Sequence, residues 1–549
     1  PLGALLAPSE PSIYPHRFPT PAIAMADAGL RVWCSLALLV QAALAHNKDV
    51  QPSCESDAVP SSSMLQARAA RQRAEASTIF EESELEGTSI EYYEGAQLII
   101  HRDSKVAQDG TGVWVMTMPG GCTSDTIKQC AKNMPAGTSA TYSGEPDKGG
   151  LCVFMMEGTK QQVEEEIRAH KFPSPPVVET DTTWSMIPEI KEGEEEDGDT
   201  GLLELSSHGG QANPPSWGLD RIDDRSGLDQ DYSPPSTGAN VHVYVADTGI
   251  RTTHQDFGGR AIPTLEVNGT MTVCNPSDLT CALDRQGHGT HCAGTIGGST
   301  YGVAKQATLH AVKVLSDTGG GSFSWFIQAV DWVMTTGARP AVFSASLGGQ
   351  GILNSVKTAI DSAVASGVTV VVAAGNSGRT ALPDACQYSP AFVPSAITVG
   401  STQSDDKRSD FSSYGSCLDI FGPGSSIKST GHGSDTGSAT MSGTSMACPH
   451  VAGGIALILS EDPTRTPAQA LALMLARATP GVIADPTSLS PDPMSLSPNL
   501  LLYTGLDTAA PTPAPPPTPA PTPAPPPPPA KAGGEEGYNL NVVWHKDMQ

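Results

Sequence analysis

Between Asn213 and Thr504, apolar runs of strand length alternate with stretches of helical period. No other feature of the chain constrains its fold as strongly. Strands are expected at Val241–Ala246, Thr308–Val314, Ala341–Ser346 and Val368–Ala374. Helices are expected at His288–Ile296, Ser322–Thr335, Leu353–Ser366 and Thr444–Leu459. Alternating β and α elements predict an α/β fold, a parallel sheet with helices on both faces. The run Val368-Thr-Val-Val-Val-Ala-Ala374 is apolar on both sides and suits a central strand buried twice over.

The rest of the chain divides by texture. At about 150 residues per domain, 549 residues allow roughly three or four units. Residues 213–506 form the main domain. Residues 95–188 show strands at Val113–Met118, Leu151–Met156 and Pro176–Thr182, with helices at Thr123–Met134 and Thr159–His170. That order suits a small ferredoxin-like α+β unit. Residues 189–212 are an acidic linker whose stretch Glu189–Asp199 holds seven Asp and Glu, read as solvated. Residues 46–94 are a polar segment. Residues 507–532 are a Pro-rich linker, expected to be an extended polyproline spacer, and 533–549 a short tail.

Residues 25–45 read as a signal peptide: a weakly basic start, an apolar run, and the small-x-small ending Ala43-Leu44-Ala45. Residues 1–24, Pro-rich and without an initial Met, read as an untranslated or leader extension. Secretion is therefore expected, and with it disulfides among the eleven Cys. A net charge of −26 argues against a nucleic-acid partner, since phosphates repel acidic surfaces. No apolar run reaches the roughly 20 residues that span a bilayer. A monomer is the expected state.

Three patterns carry chemistry. Val243-Tyr-Val-Ala-Asp247-Thr-Gly249 places an acid at the end of an apolar strand. Gly287-His288-Gly289-Thr290-His291 opens a helix with a His among small residues. Ser442-Gly443-Thr444-Ser445-Met446-Ala447-Cys448-Pro449 puts a Ser at a helix start, with Pro449 expected in its first turn. A Ser hydroxyl is a weak nucleophile until a His takes its proton, and that His needs an acid to fix its tautomer. In Ala373-Ala374-Gly375-Asn376, an amide follows a strand's C-terminal end, where open α/β sheets build their sites. Such an amide can donate to an oxyanion.

Taken together, these motifs resemble the subtilisin-like serine proteases, in particular the proteinase K branch. The Asp–His–Ser chain order is theirs. Trp217-Gly-Leu-Asp-Arg-Ile-Asp223 looks like a mature start in that branch, and Asp410-Phe-Ser-Ser-Tyr-Gly-Ser416 and Phe421-Gly-Pro-Gly424 also match. Residues 95–188 resemble the family's inhibitory propeptide. The resemblance implies an autoprocessed zymogen, inhibited by its own propeptide and acting on polypeptide substrates. Asp247 would orient the base, His288 act as base then acid, and Ser445 as nucleophile. Asn376 would line the oxyanion hole. Ser346-Leu347-Gly348 and Gly319-Gly320-Gly321 would each pair with a substrate backbone as an added strand. Ala373, Ala374 and Gly375 would shape a broad apolar or aromatic specificity pocket. Pro394, Ala396 and Asp419 match a structural calcium site, two carbonyls and a carboxylate suited to a hard cation. Asp220 and Asp223 would serve a weaker second site. A Cys386–Cys417 bridge is likewise implied by the resemblance.

Other readings bear on single residues. Cys274 and Cys281 enclose a short loop that a bridge would close, although spacing sets no connectivity. Cys292 and Cys448 are read as free thiols. His291 lacks the H-E-x-x-H spacing of a zinc pair and reads as a packed helix histidine. Asn268-Gly-Thr270 is a glycosylation sequon. Two other classes compete for the whole chain. One is an inactive protease scaffold on a Pro-rich stalk. The other is an aspartic protease, because Asp-Thr-Gly recurs at 317–319 and 435–437.

Overall fold

The structure is a computed structural model that describes residues 88–187, 190–196 (backbone), 210–486 and 493–505. The signal peptide, the leader extension, most of the polar segment, the stretch 197–209, the Pro-rich linker and the tail lie outside the described residues. Among those described, no helix is long and apolar enough to cross a membrane.

Residues 88–187 build a six-stranded sheet. Its strands are β1 (Thr88–Tyr93), β2 (Ala96–His101), β3 (Thr111–Thr117), β4 (Ser139–Ser143), β5 (Val153–Thr159) and β6 (Val177–Thr180), in the order β1-β2-β6-β3-β5-β4. The four strands β6-β3-β5-β4 are antiparallel throughout. Helices α1 (Ser124–Lys132) and α2 (Lys160–Ala169) start where the sequence provides caps. Thr123 accepts from the Thr126 amide, and Thr159 with Gln162 forms a reciprocal capping box. Trp114, Phe154, Met156, Val163 and Val178 fill the core beneath them. A disulfide joins Cys122 to Cys152.

Two further strands leave this module, β7 (Thr183–Met186) and β8 (Ile190–Glu196). The acidic stretch read as a linker is, in its backbone, the strand β8. Its backbone pairs antiparallel with residues 437–442, Ile190 opposite Ser442 and Glu196 opposite Gly437. A run of like charges reads as solvated when only composition is visible. An unpaired sheet edge elsewhere in the fold supplies the backbone partners that composition cannot show.

The main domain is built on a ten-stranded sheet. Its centre comprises β9 (His242–Asp247), β10 (Ala261–Val267), β11 (Thr308–Lys313), β13 (Ala341–Ala345), β15 (Val368–Ala373), β16 (Ile397–Thr402) and β17 (Ile420–Pro423). These run parallel in the order β10-β11-β9-β13-β15-β16-β17. All six residues of β15 are buried, as a strand covered on both faces requires. The helices are α3 (His288–Gly297), α4 (Phe323–Thr336), α5 (Asn354–Ala365) and α6 (Thr444–Glu461). Short strands β12 (Gly320–Ser322), β14 (Leu347–Gln350) and β18 (Gly437–Ser442) lie outside the main sheet. The chain goes from β9 to β11 on one side and to β13 on the other. Open α/β sheets form their crevice at such a reversal, beyond the strands' C-terminal ends.

Candidate active site

Asp247 is the last residue of β9, and its Oδ1 accepts a 2.7 Å hydrogen bond from Nδ1 of His288. Both are fully buried. The Thr248 amide also donates to Asp247 Oδ1, at 2.7 Å. His288 opens α3 because Gly287 turns the chain in the left-handed region (φ 111°), where a Cβ would stand 2.6 Å from His432. At Gly289 a Cβ would come within 2.2 Å of the Gly249 carbonyl, so only glycine lets α3 approach β9 this closely.

Asp284 fastens the turn before His288. Its Oδ1 accepts from the Gln286 and Gly287 amides and from the Thr248 hydroxyl, and its Oδ2 from the amide and hydroxyl of Thr290. Burial pushes its carboxyl upward, but the hydrogen bonds from Thr290, Gly287 and Gln286 prevail and hold it below the usual range. No local motif announces Asp284. Its role becomes visible only when its five donors converge.

Ser445 is the second residue of α6, and α6 packs against α3. Pro449 corrects an expectation: it is the sixth residue of α6, beyond the first turn. The amide it lacks is the one that would bond to the Ser445 carbonyl. That carbonyl accepts instead from the Ser346 hydroxyl at 3.0 Å and the Cys292 thiol at 3.4 Å. Cys292 Sγ also lies 3.9 Å from His288 Nδ1, so one thiol touches both motifs. Cys292 and Cys448 are buried free thiols. His291 packs under α3 with Nε2 2.9 Å from the Ile427 carbonyl and 3.1 Å from that of Ala439.

Asn376 follows β15 after Ala374 and Gly375. Its Oδ1 accepts from both the amide and the hydroxyl of Thr444, each at 2.9 Å. This clamp holds the amide by its oxygen and turns the NH2 donor end away from Thr444. Thr444 was visible beside Ser445 in the sequence, but its grip on Asn376 crosses 68 residues.

The strand β7 lies between the two expected substrate edges. It pairs antiparallel with β12, Gly320 opposite Ser185 and Gly321 opposite Trp184. On its other side it pairs with β14, Leu347 opposite Met186 and Gly348 opposite Ser185. The Met186 amide donates to the Gly319 carbonyl at 2.9 Å. Trp184 is buried against Phe323, ring centroids 4.1 Å apart, and meets Phe326 edge-on at 5.0 Å. Ser346 and Ala374 are buried.

The module's acids reach the main domain's helix ends. Glu179 accepts from the Asn354 amide and from the amide and hydroxyl of Ser355 at the start of α5. Asp181 accepts from the Ser322 hydroxyl and from the amide and hydroxyl of Ser324 at the start of α4. Neither helix is capped by its own N-cap side chain. The positive ends of both helices therefore meet carboxylates from the preceding module. Asp331 of α4 accepts in return from Tyr142 and from the Leu151 amide.

Ala396 immediately precedes β16, with Pro394 two residues earlier, and Asp419 immediately precedes the neighbouring β17. Asp419 Oδ2 accepts from the Thr398 amide at 2.9 Å, which fixes the carboxylate at the start of β16. Two carbonyls and a carboxylate, with no nitrogen or sulfur among them, fit a calcium ion. For the second acidic pair the structure offers a different grouping. Asp220 lies with Asp224 and Asp229, their oxygens within 4.8 Å of one another. Asp223 instead accepts from the Ser233 amide, and burial pushes its carboxyl up to about 7.

Bridges join Cys274 to Cys281 and Cys386 to Cys417. Asn268 is exposed in the turn between β10 and the edge strand Met271–Val273. The repeated Asp-Thr-Gly motifs do not converge. Asp317 pairs with Lys313 and Asp435 with Arg251, while Asp247 is engaged by His288. A shared-proton carboxylate pair is therefore not formed by these residues.

Residues 238–496 match the Subtilase family (Peptidase_S8). Over 296 residues the chain is 50% identical to an extracellular serine proteinase of Thermus sp. (strain Rt41A), a match spanning 53% of this chain and 67% of that protein. It is 49% identical to alkaline serine exoprotease A of Vibrio alginolyticus, over 53% of this chain and 50% of that one. Subtilisin-like protease 2 of Pseudogymnoascus destructans (strain ATCC MYA-4855 / 20631-21) is 42% identical over 53% of this chain and 68% of its own length. A solved cold-adapted subtilisin-like serine proteinase is 45% identical, with a TM-score of 0.48 over 53% of this chain and 98% of that one. The chain belongs to the subtilase family of serine-type endopeptidases.

Proposed function

We propose that the protein is a secreted endopeptidase made as an inhibited precursor and acting by a Ser445–His288–Asp247 acyl-enzyme mechanism. The observation that carries this reading is the buried 2.7 Å bond from His288 Nδ1 to Asp247, beside the helix start that bears Ser445. Asp247 holds the imidazole with its proton on Nδ1, which leaves Nε2 as the base. His288 takes the Ser445 proton as Oγ attacks the scissile carbonyl, and then delivers it to the leaving amine. Charge that develops on the carbonyl oxygen is met by the Asn376 NH2 group and the Ser445 amide. The edges Gly319–Gly321 and Ser346–Gly348 bind the substrate backbone whatever its side chains, and Ala373, Ala374 and Gly375 favour an apolar or aromatic residue at the cut. An extracellular setting agrees with the names of the relatives from Thermus and Vibrio. Pro394, Ala396 and Asp419 would hold a calcium ion that stiffens the β16–β17 end of the sheet.

The precursor reading is supported by β7, which sits where a substrate strand would sit. Residues 88–187 then act as a ferredoxin-like inhibitory propeptide, with strands in the order β6-β3-β5-β4. Ile187 is followed in sequence by Pro188, a residue without an amide N–H, and maturation is placed further on, between Leu202 and Asn213. The test is kinetic. Ser445→Ala should abolish peptide hydrolysis and accumulate uncut precursor. Asn376→Ala should lower kcat by roughly 10²–10³ with little change in KM. A raised KM at constant kcat would remove Asn376 from the oxyanion role.

A further inference from the structure

We propose that Cys130, Glu166 and His170 form a transition-metal site, suited to Zn²⁺, between α1 and α2 of the 88–187 module. The proposal concerns residues remote in sequence from the Ser445 motif and does not rest on the catalytic reading.

The geometry is that of a preformed donor set. Glu166 and His170 are four residues apart at the end of α2, so their side chains share one face. Cys130 faces them from α1. One ligand atom from each of the three lies within 4.8 Å of the others. Cys130 and Glu166 are fully buried, while His170 is partly exposed and leaves a route for an ion and a water. Cys130 is a free thiol, although the same module bridges Cys122 to Cys152.

Glu166 is the anomaly that a ligand would resolve. Its buried carboxylate faces only the Cys130 thiol and the His170 ring, a thin set of partners for a buried acid. His170 Nδ1 lies 3.1 Å from Glu166 Oε1, and Nε2 lies 3.1 Å from the Gln129 carbonyl. A carbonyl only accepts, so Nε2 carries a ring proton and the Nδ1 position is the one turned towards Glu166. The backbone oxygen of Glu166, 3.4 Å from Nδ1, would suit a doubly protonated ring. A lone pair facing a carboxylate needs a positive species between them. In the metal-free protein that species is a proton held between Nδ1 and Oε1 across their 3.1 Å contact. A divalent metal replaces it.

Sulfur, nitrogen and carboxylate oxygen together suit zinc, with water in the fourth position. The Gln129 carbonyl on Nε2–H is the outer contact that orients a metal-bound histidine. Binding converts the Cys130 thiol to a thiolate and displaces the proton held between His170 and Glu166, and both protons leave to solvent. The metal then ties α1 to α2 across the module that presents β7.

The experiment titrates full-length protein carrying Ser445→Ala, which prevents self-digestion, with Co²⁺ as the optical probe and Zn²⁺ by calorimetry. A thiolate-to-cobalt charge-transfer band should saturate at one equivalent and be displaced by Zn²⁺. Cys130→Ser should abolish the band. Glu166→Gln and His170→Gln should each weaken binding by about tenfold or more. Circular dichroism checks folding, and the near-isosteric Glu166→Gln decides the matter if Cys130→Ser fails to fold. Absence of the band, its survival in Cys130→Ser, or equal Zn²⁺ affinity in wild type and Glu166→Gln would overturn the site.

Discussion

Trp184 is the side chain by which the preceding module should grip the catalytic cleft most tightly, and Trp184→Ala measures that grip. It is 4% exposed and packed between Phe323 and Phe326 at ring separations of 4.1 and 5.0 Å. Truncating a buried Trp costs about 3–5 kcal/mol. At about 1.4 kcal/mol per factor of ten, that is a loss of affinity of roughly 10²-fold to a few thousandfold. The backbone pairing of β7 with β12 and β14 survives the change, so the loss belongs to the side chain. Trp184 packs into the main domain's core and takes no part in the module's own core, so the module should keep its fold. The assay adds the released prosegment back to mature enzyme and reads Ki against a chromogenic peptide. Ser185→Ala is the control, because Ser185 is exposed and engages its neighbours through its backbone. A Trp184→Ala Ki within about threefold of wild type would refute the argument that this ring anchors the prosegment.

Prosegment binding should weaken as pH rises. Burial raises Asp181 and Asp331 above 3.8, so the docked state holds protons that separated partners release. The added stability is complete below 3.8 and is lost as pH climbs through the raised values; a Ki that falls steadily between pH 5 and 8 would contradict this. Chelation should lower Tm, because an ion that binds only the native state stabilises it by mass action, and Asp419→Ala should shrink the difference between chelated and calcium-loaded protein. Replacing Cys386 and Cys417 together by Ser opens a loop of 31 residues and should cost about 3–4 kcal/mol in denaturant unfolding. An unchanged unfolding midpoint would show that the loop is already constrained by its packing.

What the sequence determined by itself is local. Apolar runs placed four of the seven parallel strands, β9, β11, β13 and β15, to within a residue, and left β10, β16 and β17 unread. The caps at Thr123 and Thr159 placed α1 and α2, since capping acts within one turn. Asp247, His288, Ser445 and Asn376 were legible because each stands in a short motif of small residues that close backbone approach demands. Tertiary structure alone decided what depends on partners far along the chain. The acidic run 190–196 became a strand because β18 offered it an edge. Asp284, Glu179 and Asp181 acquired their roles from donors, and Thr444 from the Asn376 acceptor, that only folding gathers around them. The Ser445 carbonyl found Ser346 and Cys292 because Pro449 withholds its usual helical partner. Hydrogen-bond donors and acceptors pair by distance in space, and a linear pattern reports that distance only when the partners are also neighbours in sequence.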